Sequence, residues 1–231
     1  MKLLIVIIDK KKIKRGKNMT LRKNGTIKVL AVGAHPDDIE LGAGGTIARH
    51  VKEGDIVQFL ILTYGEQSAR KEIRKREALE SAKTLNVPSV NFAGIPDTMV
   101  TEGIETILKI EKVVKSFQPD RVYTHGTKDT HQDHRNTALA TFSATRAVPE
   151  VFSFESPDTF PSFNPQYYVR ITDTLSRKIK ALQKFHSQRN KKYLEAEAIK
   201  GLAQFRGYQV GRYHLKVEYA EAFEVIRTIE V

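Results

Sequence analysis

The chain predicts an α/β protein built on a mostly parallel, doubly wound sheet, and three observations carry that prediction. From Thr26 onward, short apolar runs rich in β-branched residues alternate with longer stretches of helical period, the pattern of repeated βαβ units. The 231 residues are 40% hydrophobic and 28% charged, an ordinary globular balance with no bias toward disorder or coiled coil. With no cysteine, neither a disulfide framework nor thiolate chemistry is available, so any metal must be held by His, Asp or Glu. A chain of this length buries roughly 70% of its unfolded surface and needs no structural metal to stay folded.

The elements follow in order. Ile27 to Val32 reads as the first strand, followed by a glycine-bearing turn and a helix from Gly44 to Glu53. Ile56 to Leu62 is a buried-strand run, and Ala69 to Leu85 a charged helix whose apolar stripe is Ile73, Leu79, Ala82 and Leu85. A strand at Val90 to Ala93, a helix at Thr101 to Phe117 and a strand at Arg121 to Thr124 complete the doubly wound core. A helix is expected from His131 to Arg146. Ser153 to Gln166 carries Pro157, Pro161 and Pro165 and reads as a long irregular connection, the kind that forms a functional rim. Its aromatic residues fit core or oligomer contacts better than a sugar platform. Beyond it come a strand at Tyr167 to Ile171, a helix at Leu175 to His186 capped by Thr172 or Asp173, a helix at Lys191 to Phe205, and a terminal strand region around His214 to Ile226.

The formal charge of +11 is unevenly placed. Residues 1–23 hold nine Lys/Arg against the single acid Asp9, which leaves 29 basic against 26 acidic residues in the rest. A near-neutral body gives no basic surface for a phosphate backbone, and no nucleic-acid partner is expected. The leader has only six consecutive apolar residues, Leu3 to Ile8, ahead of its lysine cluster, where a membrane span needs about 20 and a signal peptide the reverse order. Residues 1–23 are therefore expected to be a poorly ordered extension, with Met19 a second candidate initiator, on a single domain spanning 24–231. No transmembrane segment is expected, and the expected location is cytoplasmic.

Two segments carry chemistry. AHPDDIELGAGG, residues 34–45, follows the first strand directly, and open α/β sheets bind ligands at the carboxyl ends of their strands. His35, Asp37 and Asp38 thus project where a divalent cation could be bound, and Pro36 stiffens the turn between them. Adjacent carboxylates cannot easily reach one ion from the same side, so one ligand and one free base is the economical division. An Asp pair after a strand can also simply cap a helix. HGTKDTHQDHRNT, residues 125–137, follows the strand ending at Thr124, and His131 and His134, three apart, share one side of a first helical turn. One can bind a metal while the other addresses substrate. Four of the seven histidines fall in these two segments, although His125 has no evident task. The glycines do not match a dinucleotide fingerprint, and neither a GxSxG elbow nor a Walker A sequence occurs.

AHPDDIELGAGG and HQDH, with FNPQYYVRITDTLSRKIKALQKFHSQ and YAEAFEVIR further on, resemble the LmbE-like, or PIG-L, family of zinc-dependent N-deacetylases over about residues 26–228. The resemblance implies a Rossmann-like three-layer α/β fold with a mostly parallel central sheet, one Zn²⁺ per chain with Fe²⁺ as an alternative, and removal of acetyl groups from N-acetylglucosamine-type sugars or sugar conjugates. By position it implies His35, Asp38 and His134 as metal ligands, Asp37 as catalytic base, a protonated His131 near the scissile carbonyl and Asp133 as the carboxylate that orients it. Arg70 is the implied substrate contact, although GEQSAR departs from the Gly/Thr/Arg-rich loop common in the family. A homo-oligomer is expected. Hydrolysis of another amide or ester bond, or sugar binding without turnover, are the competing readings; an intact Asp37 argues against the latter.

Overall fold

The computed structural model describes residues 25–211 and 217–229, so the basic leader 1–23, Met19 and His214 lie outside the described residues. A seven-stranded sheet runs in the order β3-β2-β1-β4-β5-β7-β6. Its strands are β1 (Lys28–Gly33), β2 (Ile56–Ile61), β3 (Ser89–Phe92), β4 (Arg121–His125), β5 (Glu150–Phe154), β6 (Tyr167–Arg170) and β7 (Ala220–Arg227). Strands β1 to β5 pair in parallel, while β7 runs antiparallel between β5 and β6. Helices α1 (Asp38–Lys52), α2 (Lys71–Leu85), α5 (Leu175–Leu182) and α6 (Ala196–Gly211) cover one face with Val29, Ala31 and Phe59. Helices α3 (Ile104–Phe117) and α4 (Gln132–Ala144) cover the other with Leu30, Val32 and Leu60. Alternate residues of β1 and β2 thus feed opposite cores, as strand geometry demands. No helix among the described residues is long and apolar enough to cross a membrane.

The chain winds outward from β1 in both directions, so the strand order reverses between β1 and β4. A crevice opens at the carboxyl ends of strands flanking such a reversal. Both histidine-bearing segments leave the sheet there, one after β1 and one at the end of β4.

Four expectations need correction. α1 starts at Asp38, six residues before the glycine pair that was expected to open it, and those glycines lie inside the helix. A Cβ on Gly42 would fall 2.2 Å from Phe154 and one on Gly45 2.8 Å from Ile171, so the helix lies too close to the sheet for any side chain there. The proline-rich connection begins later than expected, because Glu150–Phe154 forms the wholly buried β5. In α2 the inward face is Arg74, Glu77, Ala78, Ser81, Ala82 and Leu85, while Leu79 faces solvent. Finally, α5 ends at Leu182, a short 3-10 turn follows at His186–Gln188, and the residue at its N-cap is Thr174, whose hydroxyl donates to the Gly45 and Ile171 carbonyls.

Candidate active site

Gly33 ends β1, and the next four residues build the first half of the site. Asp37 sits at the N-cap of α1 with φ 95°, a left-handed conformation that Asp tolerates better than most residues but that still costs roughly 1–3 kcal/mol. Its carboxylate lies against Arg74 of α2, with Oδ2 3.3 Å from Nη2, and the same Nη2 donates to the Pro36 carbonyl at 2.5 Å. Burial pushes the Asp37 carboxyl above its usual range, an effect Arg74 partly offsets. Asp38 turns the other way: its Oδ2 accepts from the His35 amide at 2.7 Å and lies 3.0 Å from His125 Nε2. One acid of the pair therefore faces the histidines and the other faces Arg74.

His134, on the first turn of α4, approaches Asp38 from across the crevice, its Nε2 3.5 Å from Asp38 Oδ1. Its Nδ1 is 3.1 Å from Asp129 Oδ2, and that oxygen also accepts from the Ser156 hydroxyl at 2.6 Å. His35 repeats the scheme in mirror order. Its Nε2 lies 3.1 Å from both Asp97 Oδ1 and Asp133 Oδ2, which leaves Nδ1 3.3 Å from Asp38 Oδ2. Each imidazole is thus engaged by carboxylate at one nitrogen and presents the other toward Asp38. Carboxylates placed in this way fix the tautomer and raise the basicity of a metal-ligating histidine.

The charges follow from the contacts. Burial opposes ionisation of Asp38, yet His134 and His125 hold it well below the usual carboxylate range. Burial likewise works against protonating His134, but Asp38 and Asp129 outweigh it and lift the imidazole to about 9. His35, opposed by burial, is held well above its ordinary value by Asp133, Asp38 and Asp97. His125, wholly enclosed and next to His134, is pushed down to about 4. Burial, His134 and His35 also lower His131.

Among the described residues, four groups have ligand atoms all within 4.8 Å of one another: Asp38–His125–His134, His35–His131–His134, His35–Asp97–Asp133 and Asp129–His134–Asp158. The sequence-derived triad of His35, Asp38 and His134 is linked pairwise and divided between the first two groups. Two imidazoles and a carboxylate converge in the set Asp38, His125 and His134, a donor combination that suits a borderline divalent cation such as zinc. Buried atoms without a protein partner, His125 Nδ1 and Asp133 Oδ1, flank this cluster.

His131 caps α4, its Nδ1 accepting from the Asp133 amide at 3.2 Å, so the ring's proton resides on Nε2. The ring lies 4.5 Å from His134 and 4.8 Å from His35. Asp133 was expected to orient His131 through its carboxylate, but the carboxylate goes to His35 and to the Thr98 amide, and only its main chain holds His131. Burial, with His134 and His35 beside it, works against the protonated His131 that the resemblance implies. Arg70 is exposed and contributes its carbonyl to the start of α2; the arginine that reaches Asp37 is Arg74, one helical turn on. Asp97, Asp129 and Ser156 were not foreseen. Asp97 follows β3 as Asp37 follows β1, and Asp129 lies between two histidines of the second segment, so both left a signal in their positions at strand ends.

Comparison with known proteins adds kinship to this geometry. The family profile described as PIG-L: GlcNAc-PI de-N-acetylase matches residues 30–145. A protein of Escherichia coli named an uncharacterized deacetylase, YaiS, is 32% identical over 167 residues, covering 69% of this chain and 90% of its own length. The 4-oxalmesaconate hydratase of Pseudomonas putida is 26% identical over 67% of this chain and 71% of its own. The diacetylchitobiose deacetylase of Thermococcus kodakarensis is 26% identical over 71% of each. The crystal structure of a conserved protein from Thermus thermophilus superposes with a TM-score of 0.79 at 27% identity, covering 89% of this chain and 97% of that one.

Proposed function

This chain belongs to the PIG-L family, and from that premise we propose that it is a zinc-dependent N-deacetylase of N-acetylglucosamine-type sugars or sugar conjugates. The observation that carries the reading is the division between neighbouring acids: Asp38 turned to the histidines, Asp37 held apart by Arg74. The profile's description and the deacetylases among the relatives supply the bond and the substrate class.

His35, Asp38 and His134 would hold the ion. Zn²⁺ bound there supplies a Lewis acid that polarises the acetyl carbonyl and acidifies water. Asp37 acts as general base, removing a proton as the water oxygen adds to the carbonyl carbon; its raised pKa brings it closer to the neutral range in which a base works best. His131 donates Nε2–H to the oxyanion, a role that the Asp133 amide on its Nδ1 enforces and that a neutral ring can perform. Asp37 then returns the proton to the departing nitrogen, the C–N bond breaks, and acetate and a free amino sugar result. Asp97, Asp133 and Asp129 position the two ligand histidines.

The 4-oxalmesaconate hydratase among the relatives favours a second reading, in which the same base directs water onto a carbon–carbon double bond. An assay of acetate release from N-acetylglucosamine derivatives, with and without chelator, separates the two. Chelator-sensitive acetate release is expected; hydration of an unsaturated diacid without any acetate release would replace this reading with the second.

A further inference from the structure

His125 ends β4 with its side chain wholly enclosed, and nothing in the chemistry above gives it a task. Its main chain is fixed by pairing with Phe154 of β5 and by the Ser153 hydroxyl, which donates to its carbonyl at 2.9 Å. The ring is confined as well. It stacks on His134 with centroids 4.1 Å apart and planes 15° apart, and Phe154 meets it edge-on with centroids 4.8 Å apart. Held this way, it brings Nε2 to 3.0 Å from Asp38 Oδ2.

Distance alone would admit His125 as a metal ligand beside Asp38 and His134, but the ring planes do not. An imidazole binds an ion through a lone pair in its own plane, so two nearly parallel rings 4.1 Å apart cannot both hold one ion in plane. His134 is braced by Asp129 at its far nitrogen, as a metal-ligating histidine should be, whereas His125 Nδ1 has no partner. His125 is thus the hydrogen-bonding neighbour. Its Nε2 also lies 3.2 Å from the Ala34 amide, and one nitrogen cannot donate to Asp38 and accept from Ala34 at once. The charge-assisted bond to a carboxylate is the stronger of the two, which puts the proton on Nε2 and aims it at Asp38.

The consequence falls on Asp38. Its Oδ2 accepts from two N–H groups, the His35 amide at 2.7 Å and His125 at 3.0 Å, while Oδ1 is the oxygen that faces His134 Nε2 at 3.5 Å. We propose that His125 is a positioning residue of the metal centre: it clamps the Asp38 carboxylate through Oδ2 so that Oδ1 stays turned to the ion, and it fixes the plane of His134 by stacking on it. It touches neither ion nor substrate. The inference rests on the metal reading of the site and is independent of which bond the enzyme breaks.

Cobalt(II) bound in place of zinc has visible absorption bands that report both affinity and donor set, and its titration is the test. Three variants separate the two contacts. His125→Gln keeps an N–H that can reach Asp38 without the ring, His125→Phe keeps a ring without the donor, and His125→Ala keeps neither. Melting curves of the metal-free proteins check the fold, and the comparison of Gln with Phe, both near the original size, stays decisive if the Ala variant unfolds. Affinity should fall about 10–100-fold in His125→Ala, with His125→Gln recovering most of the loss and His125→Phe only part of it. Bands in His125→Gln should stay at their wild-type positions, because the donors to the ion are unchanged. Affinity that His125→Ala leaves untouched, or that His125→Phe restores better than His125→Gln, would overturn the positioning role. An equal loss in all three variants with shifted bands would overturn it too, since that is the mark of a lost ligand. A wild-type protein that binds no cobalt would bring down the metal reading and this inference together. The expected cobalt series without any amine release from N-acetylglucosamine derivatives would support the positioning role and defeat the deacetylase reading alone.

Discussion

Both ends of the sheet bury charged groups, and the two ends treat them differently. At the amino end, Arg121 of β4 meets Glu150 of β5 at 2.6 Å, and its remaining arm reaches the hydroxyls of Tyr123 and Tyr167. His50, at the end of α1, pairs with Asp55 at 2.7 Å, and Asp55 also accepts from the Ile27 amide. None of these side-chain atoms is left without a partner. At the carboxyl end, His125 Nδ1, Asp133 Oδ1 and Arg74 Nε are buried without a hydrogen-bond partner in the protein, and burial, partly offset by Ser81, lifts Glu40 to about 7. A buried polar group without a partner costs roughly 1–3 kcal/mol, so a fold selected for stability alone would not gather several at one place. The closed network serves the fold; the open one is the natural place for chemistry.

The largest effect should come from the open end. Asp37→Asn keeps the side chain's shape but removes the base, and kcat should fall by about 10²–10⁴ while zinc content and melting temperature stay close to wild type. Steady-state amine release and metal analysis check both halves. A variant that also lost zinc would show that the two acids do not divide their work.

At the closed end the same kind of change should affect stability and spare chemistry. Glu150→Ala strands the Arg121 charge in a buried site and should cost about 3–5 kcal/mol in denaturant unfolding, with the kcat of the folded fraction unaltered. A loss of turnover in the folded enzyme would erase the distinction between the ends.

Asp129→Asn tests the boundary between them, because this carboxylate supports the cluster from behind, through His134 Nδ1 and the His131 amide. Zinc affinity should weaken about 10–100-fold in a competition titration, with kcat at saturating metal much less affected.

The smallest effect is in pH dependence, and its sign differs between the ends. His50 is held below its ordinary 6.5, mainly by burial, so the unfolded chain binds the proton more readily. Its contribution to stability is therefore present above about pH 6.5 and lost as the pH falls below that value. His134, at about 9, contributes in the metal-free protein below pH 6.5 and loses that contribution as the pH rises through 9. His50→Gln should flatten the acid side of the stability profile and leave the alkaline side in place, as thermal melts of metal-free protein at several pH values would reveal.

This contrast also explains how much was legible in the sequence. Most of the sheet was readable because apolar periodicity reports burial, and β1, β2 and β4 were placed to within a residue or two, whereas the ion pairs of the closed end left no such signal. The reading failed where the molecule departs from that rule. α2 buries Arg74, Glu77 and Ser81 beside Ala82 and Leu85, so the apolar stripe found only part of the inward face and misplaced Leu79, and Arg74's contact with Asp37 left no apolar signal. β5 was hidden because its five residues run straight into the proline-rich loop. The cluster's histidines were visible as local segments, whereas Asp97 supports His35 from a different strand end, a pairing 62 residues apart that only the sheet order reveals.

Metal content measured by elemental mass spectrometry on wild-type, Asp37→Asn and His134→Ala proteins, each loaded with zinc and desalted, tests the central claim most directly. The account predicts one zinc per chain in the first two and close to none in the third. A full equivalent retained by His134→Ala, or none held by the wild type, would contradict it.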